Sequence, residues 1–247
     1  MILLRSLAFN LAFYGWTALM TLACLPLFVL PARLVAPCSR LWARGTLFLL
    51  GAIAGLRHEL RGLENLPPAP AIIAAKHQSA WDTIVFVALL PRAVYVLKRE
   101  LLWIPLYGWY AARAGHIAVD RKAGARALAG MLKDAAARLA ETPPPHLVIF
   151  PQGTRTAPGR RAPYLPGVAA LARGLDLPVV PVALNSGLYW GRRAFAKRPG
   201  TILLEVLPAI PAGLPRGEVM ARLETAIETA TDRLIAEAAA ERDPPAT

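Results

Sequence analysis

The chain has 247 residues, of which 55% are hydrophobic, with a mean hydropathy of +0.41 and a formal net charge of +12. This length is enough for one compact domain with its own core, and the apolar content exceeds that of an ordinary soluble protein. A chain that is both basic and apolar is typical of proteins that act at an anionic membrane surface or on phosphorylated substrates, and because it has no nucleic-acid-binding signature, nucleic acid is not expected as a partner.

The first feature along the chain is a long uncharged run, residues 6–32, between Arg5 and Arg33. A helix of this length can cross a hydrocarbon core of roughly 30 Å. A signal peptide is the competing interpretation, but the run is long for one and no small-residue cleavage site stands out. A second uncharged run, residues 45–56, is too short for a full crossing and favours a re-entrant or interfacial helix.

Basic residues flank both runs, which predicts that their ends stay at the cytoplasmic, anionic face of the inner membrane. Either one crossing or a helical hairpin that dips into one leaflet fits, and the basic flanks favour the hairpin. We therefore assign residues 1–62 to membrane-anchoring helices. The two cysteines show neither a disulfide framework nor metal-ligand spacing, so the main body is expected to occupy a reducing compartment.

After a short proline-rich segment, residues 64–70, short strand-like runs alternate with helical runs, as in an α/β sheet covered on both faces. We assign residues 63–241 to this domain and residues 242–247 to a frayed tail. The predicted strands are residues 71–75, 93–97, 116–119, 147–150, 179–184 and 201–207. The predicted helices are residues 81–90, 101–113 (broken at its proline and glycine), 123–141, 165–174 and 216–241.

Residues 76–82, Lys-His-Gln-Ser-Ala-Trp-Asp, lie between the first predicted strand and the following helix. We interpret His77 as a general base for a hydroxyl group and Asp82 as the carboxylate that orients the imidazole. The competing interpretation is a helix cap, with Ser79 as the N-cap and Asp82 at the third helical position, and the spacing taken alone favours it. The two interpretations are compatible, because a first-turn carboxylate can cap the helix and still reach back to a residue before it.

Three further strands end in polar or charged residues. An arginine fork matches phosphate geometry, and glycine lets backbone amides approach an anion. Each strand end also has an ordinary interpretation as a surface ion pair or a plain turn. Because open α/β sheets bind ligands at the carboxyl ends of their strands, we expect these residues to converge with His77 and Asp82 at one edge. The residues are Lys98, Asp120 with Arg121, and Gly153, Thr154 and Arg155.

A last stretch, residues 177–182, reads Leu-Pro-Val-Val-Pro-Val and indicates a structural wall for an apolar ligand. In this order and at these intervals, the four stretches resemble the four motifs of the PlsC-like 1-acyl-sn-glycerol-3-phosphate acyltransferases. These motifs are a histidine-four-residues-aspartate box, a glycine-to-Asp-Arg box, a Phe-Pro-Glu-Gly-Thr-Arg box and a Val-Pro-Val box. The resemblance covers about residues 64–210.

The resemblance implies a central mixed sheet flanked by helices, behind an N-terminal membrane-associated helical hairpin. It also implies the transfer of a fatty acyl chain from a coenzyme A or acyl-carrier-protein thioester to the 2-hydroxyl of lysophosphatidic acid, giving phosphatidic acid for phospholipid biosynthesis. No metal or redox cofactor is implied, and the four histidines show no ligand spacing. By the resemblance His77 is the base and Asp82 its partner, Lys98, Arg121 and Arg155 hold the acceptor phosphate, and Gly153 and Thr154 shape that loop.

Three positions depart from the family pattern. Lys76 stands where asparagine is usual, Gln152 where glutamate is usual, and Leu165 where relatives often carry lysine. Fewer cations for the head group leave open a different lyso-lipid acceptor, such as a lyso-ornithine lipid. A non-catalytic membrane lipid-binding protein is the alternative from another class, and the intact His77 and Asp82 pair argues against it.

Overall fold

In the computed structural model, which describes residues 1–120 and 123–242, seven strands form one sheet. The strands are β1 (Leu56–Arg61), β2 (Ile72–Ala75), β3 (Ala93–Lys98), β4 (Ile117–Val119), β5 (His146–Ile149), β6 (Val179–Leu184) and β7 (Gly200–Val206). The α-helices of the described residues are α1 (Ile2–Ala23), α2 (Val35–Leu49), α3 (Trp81–Leu89), α4 (Tyr107–Arg113), α5 (Ala125–Leu139), α6 (Gly167–Leu175) and α7 (Arg216–Arg242).

The strand order is β1-β7-β6-β2-β5-β3-β4. Neighbouring strands run parallel except β6 and β7, which are antiparallel. This arrangement confirms the predicted mixed sheet flanked by helices. Because β6, β2, β5, β3 and β4 share one direction, the chain segments that follow all five leave the sheet at the same edge.

Both faces of the sheet are covered, as the unbroken apolar run of β2 requires. Successive side chains of a strand point to opposite faces. Ile73 and Ala75 accordingly face a core formed with α2 and α3, while Ile72 and Ala74 face a core formed with α5, α6 and α7. The region that leads to residue 76 is therefore buried on both sides.

The N-terminal helices α1 and α2 pack against each other as a hairpin. The indole Nε1 of Trp16 donates to the carbonyl of Trp42 at 3.0 Å, and the Trp42 indole donates to the Thr17 hydroxyl at 3.1 Å. A Cβ at Gly45 would come within 2.6 Å of the Trp16 ring, so this close approach requires glycine. By length and composition, α1 is apolar enough to cross a membrane, and only 11% of its most apolar window is buried.

The strand β1 was not predicted, because residues 56–61 were grouped with the basic flank of the anchoring helices. In the structure α2 continues into one turn of π-helix, Leu50–Ala54, which ends at Gly55 with a φ of +67°. The chain then pairs in parallel with β7 at the edge of the sheet. Part of the segment assigned to the anchor therefore belongs to the sheet, and the division into anchor and domain stays a prediction.

The remaining predicted elements are present, with bounds that differ by a few residues. The broken helix over residues 101–113 is a 3₁₀ turn, Arg99–Trp103, followed by α4, with Leu106 between them at a φ of +64°. Residues 121 and 122 and the predicted tail beyond Arg242 lie outside the described residues.

A buried lysine fastens α1 to the α/β domain. The Ser6 hydroxyl accepts the backbone N–H of Lys197 at 2.9 Å, and the Lys197 ammonium donates to Asn10 Oδ1 at 2.7 Å. The same ammonium lies over the rings of Phe9 and Trp190, 5.6 Å and 5.0 Å from their centroids. Since Lys197 is only 4% exposed, these contacts hold α1 against the domain near its N-terminal end.

We expect Lys197→Met to loosen this attachment, because the substitution removes a charged hydrogen bond and the contacts of the ammonium with two aromatic rings. The free energy of unfolding, measured by thermal unfolding of the detergent-solubilised protein, should fall by about 1.5–3 kcal/mol. Proteolysis of the N-terminal hairpin should become faster. Lys133→Met, at an exposed position of α5, is the matched control and should change neither. Equal behaviour of the two variants would contradict this assignment of Lys197.

Candidate active site

His77 and Asp82 are in direct contact at the carboxyl edge of the sheet. His77 follows β2, and Asp82 lies in the first turn of α3. The imidazole Nδ1 is 3.0 Å from Asp82 Oδ2, and the side chains are 13% and 0% exposed, respectively. This contact directs the second ring nitrogen, Nε2, away from the carboxylate, where it is suited to take a proton from a bound hydroxyl group.

The Asp82 carboxylate is fixed by further hydrogen bonds. Its Oδ2 accepts the backbone N–H groups of Gln78 at 2.6 Å and Ser79 at 2.8 Å. Its Oδ1 accepts the hydroxyl of Ser186, just after β6, at 2.5 Å. With both oxygens held, the carboxylate has a single orientation toward the imidazole of His77.

The helix-cap interpretation predicts the right hydrogen bonds but places them one residue too early relative to the helix. The Ser79 hydroxyl accepts the backbone N–H of Trp81 at 3.2 Å, while Asp82 reaches back to the N–H of Ser79. The helix begins at Trp81, with Ala80 rather than Ser79 in the N-cap position. Asp82 therefore caps the helix and contacts His77 at the same time. Ser79 is fully buried at this turn.

The loop after β5 encloses His77 from the other side. The His77 imidazole stacks on the ring of Phe150, with centroids 4.0 Å apart and planes 17° apart. The backbone N–H of Thr156 donates to the His77 carbonyl at 2.8 Å. The side-chain oxygen of Gln152 accepts the His77 N–H at 3.3 Å. The first and third sequence motifs are thus brought together by direct contacts.

The strand register brings Lys98 to the same edge. Tyr95 pairs with Val148, and Val148 pairs with Ile73, so these residues form one row across β3, β5 and β2. Lys98 lies three residues beyond this row and His77 lies four residues beyond it. With neighbouring strands about 4.8 Å apart, the Lys98 backbone stands roughly 10 Å from the strand that carries His77.

The other predicted phosphate-binding residues occupy the neighbouring loops. Gly153 adopts a left-handed turn with a φ of +65°, Thr154 is exposed and Arg155 is half-buried. Lys98 is half-exposed and its ammonium lies 2.9 Å from Glu100. Arg121, which is also predicted to hold the phosphate, lies outside the described residues. The binding roles of all these residues stay predictions.

A buried ion pair involves Lys76, the residue that precedes His77. The Lys76 ammonium is 2.7 Å from both oxygens of Glu228 on α7, and the two side chains are 2% and 5% exposed. Glu228 also accepts the Tyr164 hydroxyl at 2.8 Å and the Gln152 side-chain amide at 3.4 Å. Burial and the neighbouring Glu228 raise the pKa of Tyr164, which keeps this phenol protonated as a donor.

Sequence reasoning identified the dyad but missed Ser186, Tyr164 and Glu228. The signal for Glu228 was Lys76 itself, because an ammonium at the end of a buried strand requires a buried anion. Which carboxylate supplies that anion could not be read from the sequence, since Glu228 is 152 residues away. No comparable signal marks Ser186.

The surroundings of each remaining histidine disfavour the charged form of its ring. Burial lowers the pKa of His58, His116 and His146, and the pKa of His116 falls to about 4, also under the influence of Arg138. Among residues 1–120 and 123–242, no cluster of three or more histidine, cysteine or acidic side chains could hold a metal ion. That the reaction needs no metal or cofactor stays a prediction.

Known proteins are similar to this chain over most of its length. A family model described as Acyltransferase matches residues 57–185. The chain is 38% identical over 196 residues to the 1-acyl-sn-glycerol-3-phosphate acyltransferase of Pseudomonas aeruginosa, which covers 79% of this chain and 76% of that protein. It is 32% identical over 218 residues to the human 1-acyl-sn-glycerol-3-phosphate acyltransferase alpha, covering 86% and 76%.

The fold is also that of a solved structure. The crystal structure of the 1-acyl-sn-glycerophosphate (LPA) acyltransferase PlsC from Thermotoga maritima matches with a TM-score of 0.75 over 96% of this chain and 98% of that one. The sequence identity is 19%, so this match shows the fold.

We expect Lys76→Met to destabilise the protein by about 3–5 kcal/mol, because Glu228 is then left as a buried, unpaired charge. The double variant Lys76→Met/Glu228→Gln removes both charges and keeps an amide oxygen for Tyr164, so it should regain most of the loss. Denaturant unfolding of both variants measures the difference. Removing the exposed pair Arg222 and Glu218 in the same way is the control and should cost less than about 1 kcal/mol. A double variant no more stable than Lys76→Met would contradict the expectation.

Proposed function

The chain belongs to the acyltransferase family that includes the 1-acyl-sn-glycerol-3-phosphate acyltransferases, and from this premise we propose that it acylates the 2-hydroxyl of 1-acyl-glycerol-3-phosphate to make phosphatidic acid. The observation that carries the proposal is the imidazole of His77 held 3.0 Å from the buried Asp82 at the ligand-binding edge of the sheet. The acyl donor in this proposal is a coenzyme A or acyl-carrier-protein thioester.

The proposed reaction is direct transfer. Nε2 of His77 takes the proton of the acceptor hydroxyl as its oxygen attacks the thioester carbonyl. Asp82 stabilises the imidazolium that forms. When the tetrahedral intermediate collapses, the carbon–sulfur bond breaks and the proton on His77 passes to the leaving thiolate. Such acid–base catalysis is typically worth about 10²–10⁴ in rate.

The cations at the same edge support a phosphorylated acceptor. Lys98 ends β3, Arg155 lies in the loop that follows β5, and Arg121 follows β4 in the sequence. A lyso-lipid phosphate held by these residues would place its glycerol hydroxyl toward His77, about two strand spacings away. Coenzyme A and acyl carrier protein are both anionic and would be attracted to the same basic surface.

The half-exposed Leu165 favours one alternative acceptor. This residue lies just before α6, where relatives often carry a lysine, so the site has one cation fewer for a phosphate. A phosphate-free lyso-lipid is the alternative substrate. Competition between lysophosphatidic acid and a lyso-ornithine lipid of the same chain length distinguishes them, and preference for the lyso-ornithine lipid would favour the alternative.

We further infer that the N-terminal hairpin lies in one leaflet at the cytoplasmic face of the membrane. Lys197 fastens α1 near Asn10, and the Tyr110 hydroxyl donates to the Thr21 carbonyl near the other end of α1 at 2.8 Å. A helix attached to the α/β domain near both ends could cross the bilayer only by carrying these polar contacts into the hydrocarbon, which is costly. Basic residues on both flanks agree with this placement.

We expect His77→Ala to lower kcat for transfer of a labelled acyl chain to lysophosphatidic acid by about 10²–10⁴. The KM for the acceptor should change little, because His77 is assigned to proton transfer rather than to phosphate binding. Unchanged thermal unfolding shows that the fold is retained. Arg173→Ala, in the last turn of α6 away from the site, serves as the control. Near-full activity of His77→Ala would rule out this mechanism.

Asp82→Asn tests the second member of the dyad. The amide keeps the size of the side chain but removes the charge that stabilises the imidazolium. We expect a fall in kcat similar to that of His77→Ala, and a double variant no worse than either single one, because the two side chains act as a unit. Additive losses in the double variant would show that they act independently.

A further inference from the structure

A group of large apolar side chains is exposed in the turn that follows β3 and in the first residues of α4. Trp103, Tyr107 and Trp109 are 72%, 50% and 56% exposed, and Ile104 and Leu106 are 47% and 41% exposed. We call these five residues the aromatic rim. Contiguous exposed apolar surface of this kind marks an interaction site in a folded protein.

The backbone of this segment has an unusual and tightly packed conformation. Leu106 adopts a φ of +64°, a conformation that branched side chains rarely occupy and that surrounding structure must enforce. A Cβ at Gly108 would come within 2.0 Å of the Leu102 carbonyl, so the tight approach of these two turns depends on glycine. The exposed side chains therefore project from a defined backbone conformation.

The rim is continuous with the turn that follows α1. Phe28 packs against Tyr110 and Trp109, with ring centroids 4.8 Å and 6.5 Å apart. The Arg113 guanidinium donates to the carbonyls of Leu27 and Leu30, the first at 3.0 Å. Contacts from α4 thus join the rim to the apolar N-terminal hairpin as one surface.

The same surface extends to the tip of that turn. Val29 is 88% exposed, Leu30 41% and Phe28 37%. The combined surface is made of aliphatic side chains interspersed with tryptophan and tyrosine, and the cations Lys98 and Arg99 border it. This composition is that of a segment lying in a membrane interface, where aromatic rings occupy the headgroup level and cations meet anionic lipids.

From these observations we propose that the aromatic rim inserts into the bilayer interface and is the route by which the lipid acceptor reaches the active site. The rim starts one turn after Lys98, at the same sheet edge as His77. A single-tailed lipid held against the rim keeps its chain in the membrane while its phosphate reaches Lys98. This second part of the proposal rests on the proposed function, whereas insertion of the rim does not.

The test compares the wild-type chain with Trp103→Gln/Tyr107→Gln/Trp109→Gln on vesicles of phosphatidylethanolamine and phosphatidylglycerol. Two acceptors are used: a long-chain lysophosphatidic acid within the vesicles and a short-chain one dissolved as a monomer. We expect the triple variant to raise the KM for the vesicle-borne acceptor about tenfold or more, because removing three aromatic side chains that enter the bilayer weakens insertion. The kinetics on the monomeric acceptor should be unchanged.

Vesicle flotation is the second readout and does not depend on activity. The triple variant should float less completely than wild type, and the difference should be larger at high salt, which screens the attraction of the basic residues to phosphatidylglycerol. Leu63→Gln is the control, since this exposed apolar residue follows β1 at the opposite edge of the sheet. If the triple variant folds poorly, Trp103→Gln alone, at the most exposed rim position, replaces it and should give a smaller change in the same direction.

The outcomes separate the two proposals. Unchanged flotation together with an unchanged KM ratio between the two acceptors overturns the rim proposal. Equal losses on both acceptors also overturn it, because the rim would then belong to the catalytic site. Reduced flotation of the triple variant, with a wild type inactive on both acceptors, supports insertion and refutes the proposed function. Self-association of the wild type that the triple variant loses would assign the surface to a second copy and overturn membrane insertion.

Discussion

The structure of the active site depends on one buried carboxylate. Asp82 receives hydrogen bonds from two backbone amides before α3 and from Ser186 after β6, and its remaining contact is with Nδ1 of His77. The carboxylate therefore links the ends of two neighbouring parallel strands, β2 and β6, to the start of a helix. A buried charge without these donors would be strongly unfavourable. The same hydrogen bonds that make its burial possible also orient the imidazole, so the burial of the charge and the orientation of His77 arise from one set of contacts.

A buried ion pair lies next to the residue that Asp82 orients. Lys76 and Glu228 neutralise each other, and Gln152 joins this pair to the backbone N–H of His77. Relative to the family pattern, the acidic side chain normally found at position 152 is absent, and a carboxylate from α7 lies beside its amide instead. The lysine at position 76 balances that carboxylate. The two departures noted in the sequence are thus parts of one arrangement rather than independent losses.

Much of this could be predicted because the central strands and the dyad carry local signals. Strands β2 and β6 are unbroken apolar runs, and His77 and Asp82 are close in sequence as well as in space. The edge strand β1 gave no such signal, since Arg57 and Glu59 face solvent and its pairing with β7 spans more than 140 residues. Ser186 and Glu228 were missed for the same reason: they meet the dyad only through the sheet topology, at separations of 104 residues from Asp82 and 152 from Lys76.

The position of the catalytic edge beside an apolar surface follows from the physical chemistry of the proposed substrates. Extracting a lyso-lipid from the bilayer would expose its chain at about 0.8 kcal/mol per CH₂, or roughly 12 kcal/mol for fifteen methylenes. No cluster of surface cations could offset that cost, because exposed charge pairs are worth about 1 kcal/mol or less. The proposed acyl donors, coenzyme A and acyl-carrier-protein thioesters, are in contrast carried in water. A site that receives both lies where the bilayer ends and the solvent begins, and the rim begins in the segment that follows Lys98, at the same sheet edge as His77.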